Sequence, residues 1–161
     1  MNYTQNEKIE QVTDTTMVVG VDIGSQTHYA RAFDNRGREL TKRVFSFQND
    51  IEGFNSFNIW AESLKNNKTV VLIGCEPTGH YWFAFAKYVN DHKKRLVMVN
   101  PFSVKKIKEL DDNSPKKTDL KDPKTIAKLV VDGRYSIPYM PEGIYAEIRD
   151  LVYSRDRIMK Q

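Results

Sequence analysis

The chain has 161 residues, 40% apolar and 29% charged, with a formal charge of +4, which suits one domain with a sizeable core. No apolar run approaches the ~20 residues of a membrane span and the N-terminus is polar, so a soluble cytoplasmic protein is expected. The single cysteine, Cys75, excludes an internal disulfide and a cysteine-rich zinc site, and reads as a small core residue.

Residues 1–16 hold few apolar side chains and no period, and read as a disordered or loosely held arm. Met17 to Ile23 is the first predicted strand, a short apolar run with one carboxylate, Asp22, near its end and a Gly24–Ser25 turn after it. Thr27 to Phe33 and Leu40 to Phe47 follow as strands, joined through the hairpin signal Asp34-Asn35-Arg36-Gly37. The period then changes. Asn49 and Glu52 resemble a capping box, and Phe54, Phe57, Trp60 and Leu64 recur at helical spacing.

Thr69 to Cys75 is a second buried strand that again runs into a carboxylate, Glu76. Pro77-Thr78-Gly79 turns into a helix whose stripe is Tyr81, Trp82, Phe85, Tyr88 and Val89, and Arg95 to Val99 is a fifth strand. From Pro101 to Lys117 the chain is basic and polar, with a short helix at Val104 to Leu110. Asp122-Pro123 opens another helix, with Ile126, Ala127, Leu129 and Val130 apolar and Gly133 as its stop. Pro138 and Pro141 bound a linker, and the amphipathic segment from Glu142 reaches Gln161 without a stop signal, as the start of a longer helix would. The expected organisation is an arm over 1–16, one α/β domain over 17–135, and a linker with the start of a truncated inter-domain helix over 136–161. Its mixed sheet has three antiparallel strands followed by two parallel ones, with helices on both faces.

A charge on a core strand is costly unless a metal, a hydrogen-bond network or a cation compensates it. Asp22 and Glu76 are expected at the carboxyl ends of neighbouring strands, where ligands of open α/β sheets collect. Two adjacent carboxylates there repel unless a cation bridges them, and carboxylate oxygens suit Mg²⁺ or Mn²⁺. Asp119 and Asp122 are three residues apart; Asp122, before a proline, is also a natural helix N-cap, so ligand and cap both stand for it. Ser25 and Thr78 follow the two strand-end acids and are candidates for a phosphate contact or for plain turn roles. Basic clusters at Lys93–Arg95, Lys105, Lys106 and Lys108, Lys116 and Lys117, and Lys121 to Lys128 suit a nucleic-acid backbone, or solvated faces.

Val-Asp-Ile-Gly-Ser at 21–25, Cys-Glu-Pro-Thr-Gly-His-Tyr-Trp at 75–82 and Lys-Thr-Asp-Leu-Lys-Asp-Pro-Lys-Thr-Ile-Ala at 117–127 together resemble the N-terminal domain of DEDD transposases, insertion-sequence recombinases related to the Piv-type DNA invertases. The resemblance runs from about Met17 to the end of the chain. It implies a RuvC-like, ribonuclease H-type fold and a Mg²⁺ (or Mn²⁺) site made by Asp22, Glu76, Asp119 and Asp122. It further implies a second domain whose serine forms a covalent link to a DNA phosphate, a structured bridge RNA as partner, DNA as substrate and a homo-oligomer. Without that serine domain, the chain alone is expected to be inactive in transposition. Ser25, Thr78, Lys105, Lys106, Lys116, Lys117 and Lys121 are the candidate nucleic-acid contacts. Two other readings compete: an actin- or sugar-kinase-like ATPase, since Asp-Ile-Gly-Ser before a hairpin also resembles its first phosphate turn, and a non-catalytic nucleic-acid-binding module.

Overall fold

In the computed structural model, residues 3–111 and 122–138 are described. The strands are β1 (Thr16–Asp22), β2 (Thr27–Phe33), β3 (Phe45–Gln48), β4 (Val70–Cys75) and β5 (Arg95–Met98). The helices are α1 (Gln5–Glu10), α2 (Ile51–Leu64), α3 (Phe83–Asp91), α4 (Pro101–Asp111) and α5 (Asp122–Val131). One sheet runs β3-β2-β1-β4-β5. β1 pairs antiparallel with β2 and β2 with β3, whereas β4 runs parallel to both β1 and β5. This is the expected mixed sheet of an antiparallel meander extended by parallel strands.

Alternation along the strands divides the core in two. Met17, Val19 and Val21 of β1 face α2 and α3, packing with Ile73, Phe57, Phe85 and Val89. Val18 and Leu72 face the opposite way, toward Val104 of α4 and Ile126, Leu129 and Val130 of α5. The central strand is therefore apolar on both sides, which explains why it reads as a continuous run rather than an alternating one.

Several boundaries differ from those expected. The return of the hairpin after Arg38 is not one strand. Phe33 bridges Glu39, yet Ala30 pairs with Phe45, so three residues back on β2 correspond to six forward on the return. Lys42 and Arg43 lie in the extra segment, which is polar and leaves the edge of the sheet. The cap of α2 is Asp50, whose carboxylate accepts from Gly53 N at 2.7 Å, one residue later than the Asn49 box. α3 starts later than its aromatic stripe, leaving Tyr81 and Trp82 in the loop. α4 is longer than expected because Pro101 takes the first helical position and the Asn100 side chain accepts from Phe102 N at 2.8 Å.

The segment expected to be a disordered arm also differs. Thr4 caps α1, and the helix is tied to the end of α5: Tyr135 Oη donates to Lys8 O at 2.9 Å and Gln5 Nε2 to Asp132 O at 3.3 Å. These partners lie more than a hundred residues away in the chain, beyond the reach of a local pattern. Of the linker and long helix expected over 136–161, residues 139–161 lie outside the described residues, and Ser136, within them, pairs with Met98 of β5, each donating its N–H to the other's carbonyl at 2.8 Å.

Candidate active site

The side-chain alternation that builds the core also aims the carboxylates. On β1, Val18, Gly20 and Asp22 share the face turned to α4 and α5; on β4, Leu72 and Gly74 share it, and Glu76 follows in the same phase one residue past the strand. Gly20 and Gly74 are partners in the parallel ladder, so Asp22 and Glu76 each stand two residues beyond a paired glycine. Both acids are half-buried at the carboxyl ends of adjacent strands.

The two glycines bring the helix to the acids. A Cβ at Gly20 would lie 1.8 Å from Pro123 O, and one at Gly74 would lie 2.5 Å from Val130 Cγ2. Only strands without side chains at these positions let the first turn of α5 rest on the sheet backbone. That contact delivers Asp122, the first residue of α5, to the end of the sheet where Asp22 and Glu76 lie.

Four charges meet there. Lys108, from α4, places Nζ 2.5 Å from Asp122 Oδ1, an oxygen that is buried and accepts no hydrogen bond of good geometry. The Lys108 ammonium is held above its ordinary pKa chiefly by Asp122, with partial burial opposing and the charges of Asp22 and Glu76 adding to the effect. Glu76 is pushed above the usual carboxylate range by burial first and by Asp122 second; the Thr78 hydroxyl and the Lys108 charge act the other way. Asp22, Glu76, Asp122 and Lys108 thus feel one another electrostatically. Among the described residues no three His, Cys, Asp or Glu side chains converge into a metal-holding group. Asp119 lies outside the described residues, as do Lys116, Lys117 and Lys121.

Thr78 stands close to its acid: Oγ1 lies 3.5 Å from Glu76 Oε2. Ser25 is exposed in the turn after β1, where its carbonyl accepts from Asn49 Nδ2 at 3.3 Å. Lys105 and Lys106 are exposed on α4, and Lys106 Nζ lies 5.3 Å from the Phe102 ring centroid. The basic clusters do not form one surface. Lys93, Lys94 and Arg95 sit at the start of β5, the end of the sheet away from the carboxylates. Lys94 is moreover committed internally, donating to Asn58 Oδ1 at 2.5 Å and Glu62 Oε1 at 2.7 Å, which holds the Glu62 carboxyl below its usual range. Cys75 is fully buried and burial pushes its thiol up, so it is the inert core residue expected.

Two residues near this centre carry no motif. Lys108 was legible only as one member of a basic run; its spacing from Val104 places it on the inward face of α4. His28 is fully buried among Phe47, Phe54 and Phe85, on the same strand phase as Ala30 and Ala32. Its Nδ1 accepts from Gly24 N at 3.1 Å, and burial lowers its pKa against a smaller opposing effect of Asn49. A neutral ring at this point pins the turn that follows Asp22. Asn49 N, donating to Gln26 O at 2.8 Å, pins the same turn from β3.

A family model of IS110-type DEDD transposases, described simply as a transposase, matches residues 19–161. The chain belongs to this transposase family. The transposase chain is also similar in structure to RuvC from T. thermophilus in complex with a Holliday junction substrate, with a TM-score of 0.47 and 12% identity over 76% of this chain and 99% of that one. No curated protein sequence matches it. The match contains Asp22, Glu76 and Asp122, and no described helix is long and apolar enough to cross a membrane.

Proposed function

We propose that Asp22, Glu76 and Asp122, together with Asp119, are the divalent-metal ligands of a DNA strand-cleavage and rejoining centre in this transposase. The observation that carries the reading is the buried Asp122 Oδ1, paired with the Lys108 ammonium, beside a Glu76 whose carboxyl is pushed up by burial and by Asp122. Hard carboxylate oxygens of like charge gathered at one sheet end fit Mg²⁺ or Mn²⁺ better than they fit a purely structural role. The residues fit as an open set, since the described carboxylates do not close a cage by themselves and Asp119 completes the motif.

Asp22 and Glu76 project from rigid strand ends, so they hold a fixed geometry, and Asp122 arrives on a helix docked by its backbone. A bound divalent ion supplies Lewis-acid stabilisation of charge on the scissile phosphate and its leaving oxygen. The attacking hydroxyl is a serine of the transposase outside this chain, as the family resemblance implies, and a structured RNA guides the DNA. Ser25, Thr78, Lys105 and Lys106 are the proposed nucleic-acid contacts, together with Lys116, Lys117 and Lys121 of the basic sequence run; Lys93–Arg95, at the far end of the sheet, are not part of that contact.

Titration calorimetry with Mn²⁺ tests the metal set. Wild type binds, and Glu76→Gln and Asp22→Asn bind roughly tenfold more weakly or worse, because each removes a full charge from the centre. In the complete transposase, Asp22→Ala abolishes strand exchange with the fold intact. Unchanged Mn²⁺ binding by Glu76→Gln, or normal exchange by Asp22→Ala, would rule the assignment out. Absence of Mn²⁺ binding by wild type would favour a non-catalytic nucleic-acid module.

A further inference from the structure

Lys108 is a cation on the inward side of α4, held within the field of three carboxylates. Its Nζ lies 2.5 Å from the buried Oδ1 of Asp122, and the charges of Asp22 and Glu76 also reach it. The exposed lysines of the same helix, Lys105 and Lys106, are turned elsewhere, so the placement of Lys108 is not a general property of a basic helix. Val104 is 3% exposed and Ile107 packs against the same core, so the backbone of α4 at Lys108 is anchored. The side chain itself keeps 28% of its surface exposed. A flexible four-carbon stem on an anchored helix can therefore withdraw its ammonium to solvent without moving the helix.

We infer that Lys108 is a built-in counter-ion that competes with the divalent cation for Asp122, and that its withdrawal accompanies metal loading. The inference rests on the metal-site reading above. An ammonium and a divalent ion cannot share Asp122 Oδ1 at contact distance, because their charges repel in a half-buried setting where screening is weak. The ammonium offsets the repulsion among the carboxylates whenever the divalent ion is away, which keeps the centre assembled, and it weakens the affinity for that ion. Lys108 acts through Asp122 and is a positioning residue.

The test compares Mn²⁺ affinity by calorimetry, and the Mn²⁺-induced rise in melting temperature, for wild type, Lys108→Met, Lys108→Gln and Lys108→Arg. Removal of the competing charge in Lys108→Met and Lys108→Gln tightens Mn²⁺ binding on the order of tenfold, as expected for a unit charge about 5 Å from a divalent ion. It also lowers the melting temperature without Mn²⁺ and enlarges the Mn²⁺-induced rise. Lys108→Arg keeps the cation and binds no tighter than wild type. The gain shrinks as salt is raised. If Lys108→Met and Lys108→Gln bind Mn²⁺ as wild type does, or more weakly, the competition is overturned while the metal site stands. If wild type and all three variants fail to bind Mn²⁺, the metal-site reading falls and the inference with it. A Lys108→Met protein that does not fold leaves the decision to Lys108→Gln, which retains a polar end for Asp122.

Discussion

The two faces of this sheet solve different problems. Toward α2 and α3 the core is built from large rings: Phe47, Phe54, Phe57 and Phe85 pack with centroid separations of 4.8 to 5.6 Å, and His28 is enclosed with them. Toward α4 and α5 the sheet presents Gly20 and Gly74 side by side, and the helix lies on bare backbone. Bulk on the first face supplies apolar burial and holds the layers apart. Its absence on the second lets a helix terminus reach the strand ends, where Asp22, Glu76, Asp122 and Lys108 gather. Apolar bulk and the gathering of charges thus fall on opposite faces of one sheet, with β1 contributing to both and His28 holding the turn after Asp22 from the first face.

The separation can be broken by substitution. Phe57 is 1% exposed in the aromatic cluster, and Phe57→Ala should destabilise the domain by about 3–5 kcal/mol in denaturant unfolding. The protein that remains folded should keep its Mn²⁺ affinity, because Asp22, Glu76 and Asp122 all lie on the α4–α5 side of the sheet. Gly20→Ala should cost less stability, about 1–3 kcal/mol, yet lose Mn²⁺ binding, since the new Cβ meets the Pro123 carbonyl and lifts the turn that carries Asp122. A Gly20→Ala protein with wild-type stability and affinity would refute the close approach. Should Phe57→Ala instead lose the metal first, the two faces are coupled.

A smaller effect sharpens the electrostatic half of the comparison. The folded-state pKa of Glu76 lies above its ordinary value of 4.5, owing to burial and Asp122. The folded chain therefore holds that proton more tightly than the unfolded chain does. The contribution is stabilising below the ordinary glutamate pKa and is lost as pH rises through the elevated folded value. Without added divalent ion, Glu76→Gln should melt modestly higher than wild type at neutral pH, and the difference should vanish as pH falls below about 4.5, where both side chains are neutral. Added Mn²⁺ should reverse the order. A melting profile in which Glu76→Gln is the less stable protein at neutral pH would show that Glu76 is satisfied by its protein neighbours alone.

Much of the architecture was legible in the pattern. β2 spans the residues its alternation predicts, β1 and β4 lie within a residue of their apolar runs, and the helical stripe of α5 ends before Gly133 as expected. The misses share a cause. The helix at residues 5–10 is held by Tyr135 and Asp132, the displaced start of β3 follows from a register shift at a sheet edge, and the cap of α2 falls on the neighbouring acid. Each depends on partners or geometry that periodicity does not encode. Within the candidate site, Asp22 and Glu76 were visible because a carboxylate closing an apolar strand has few cheap explanations. Lys108 and His28 were not, since a lysine in a basic run and a histidine within a strand look ordinary until their surroundings are known.

What the sequence by itself determined is which residues can do chemistry: the strand-end acids, the acid before Pro123, and the motifs shared with the transposase family. Alternation and strand order were enough to put Asp22 and Glu76 at the same end of neighbouring strands. Only the tertiary structure decided that Gly20 and Gly74 form the seat of α5, that Asp122 thereby reaches those acids, and that the cation among them is Lys108. The physical reason is one of range. Strand phase is set residue by residue along the chain, whereas a helix resting on two glycines from separate strands, and the charge it carries there, exist only after the layers have packed.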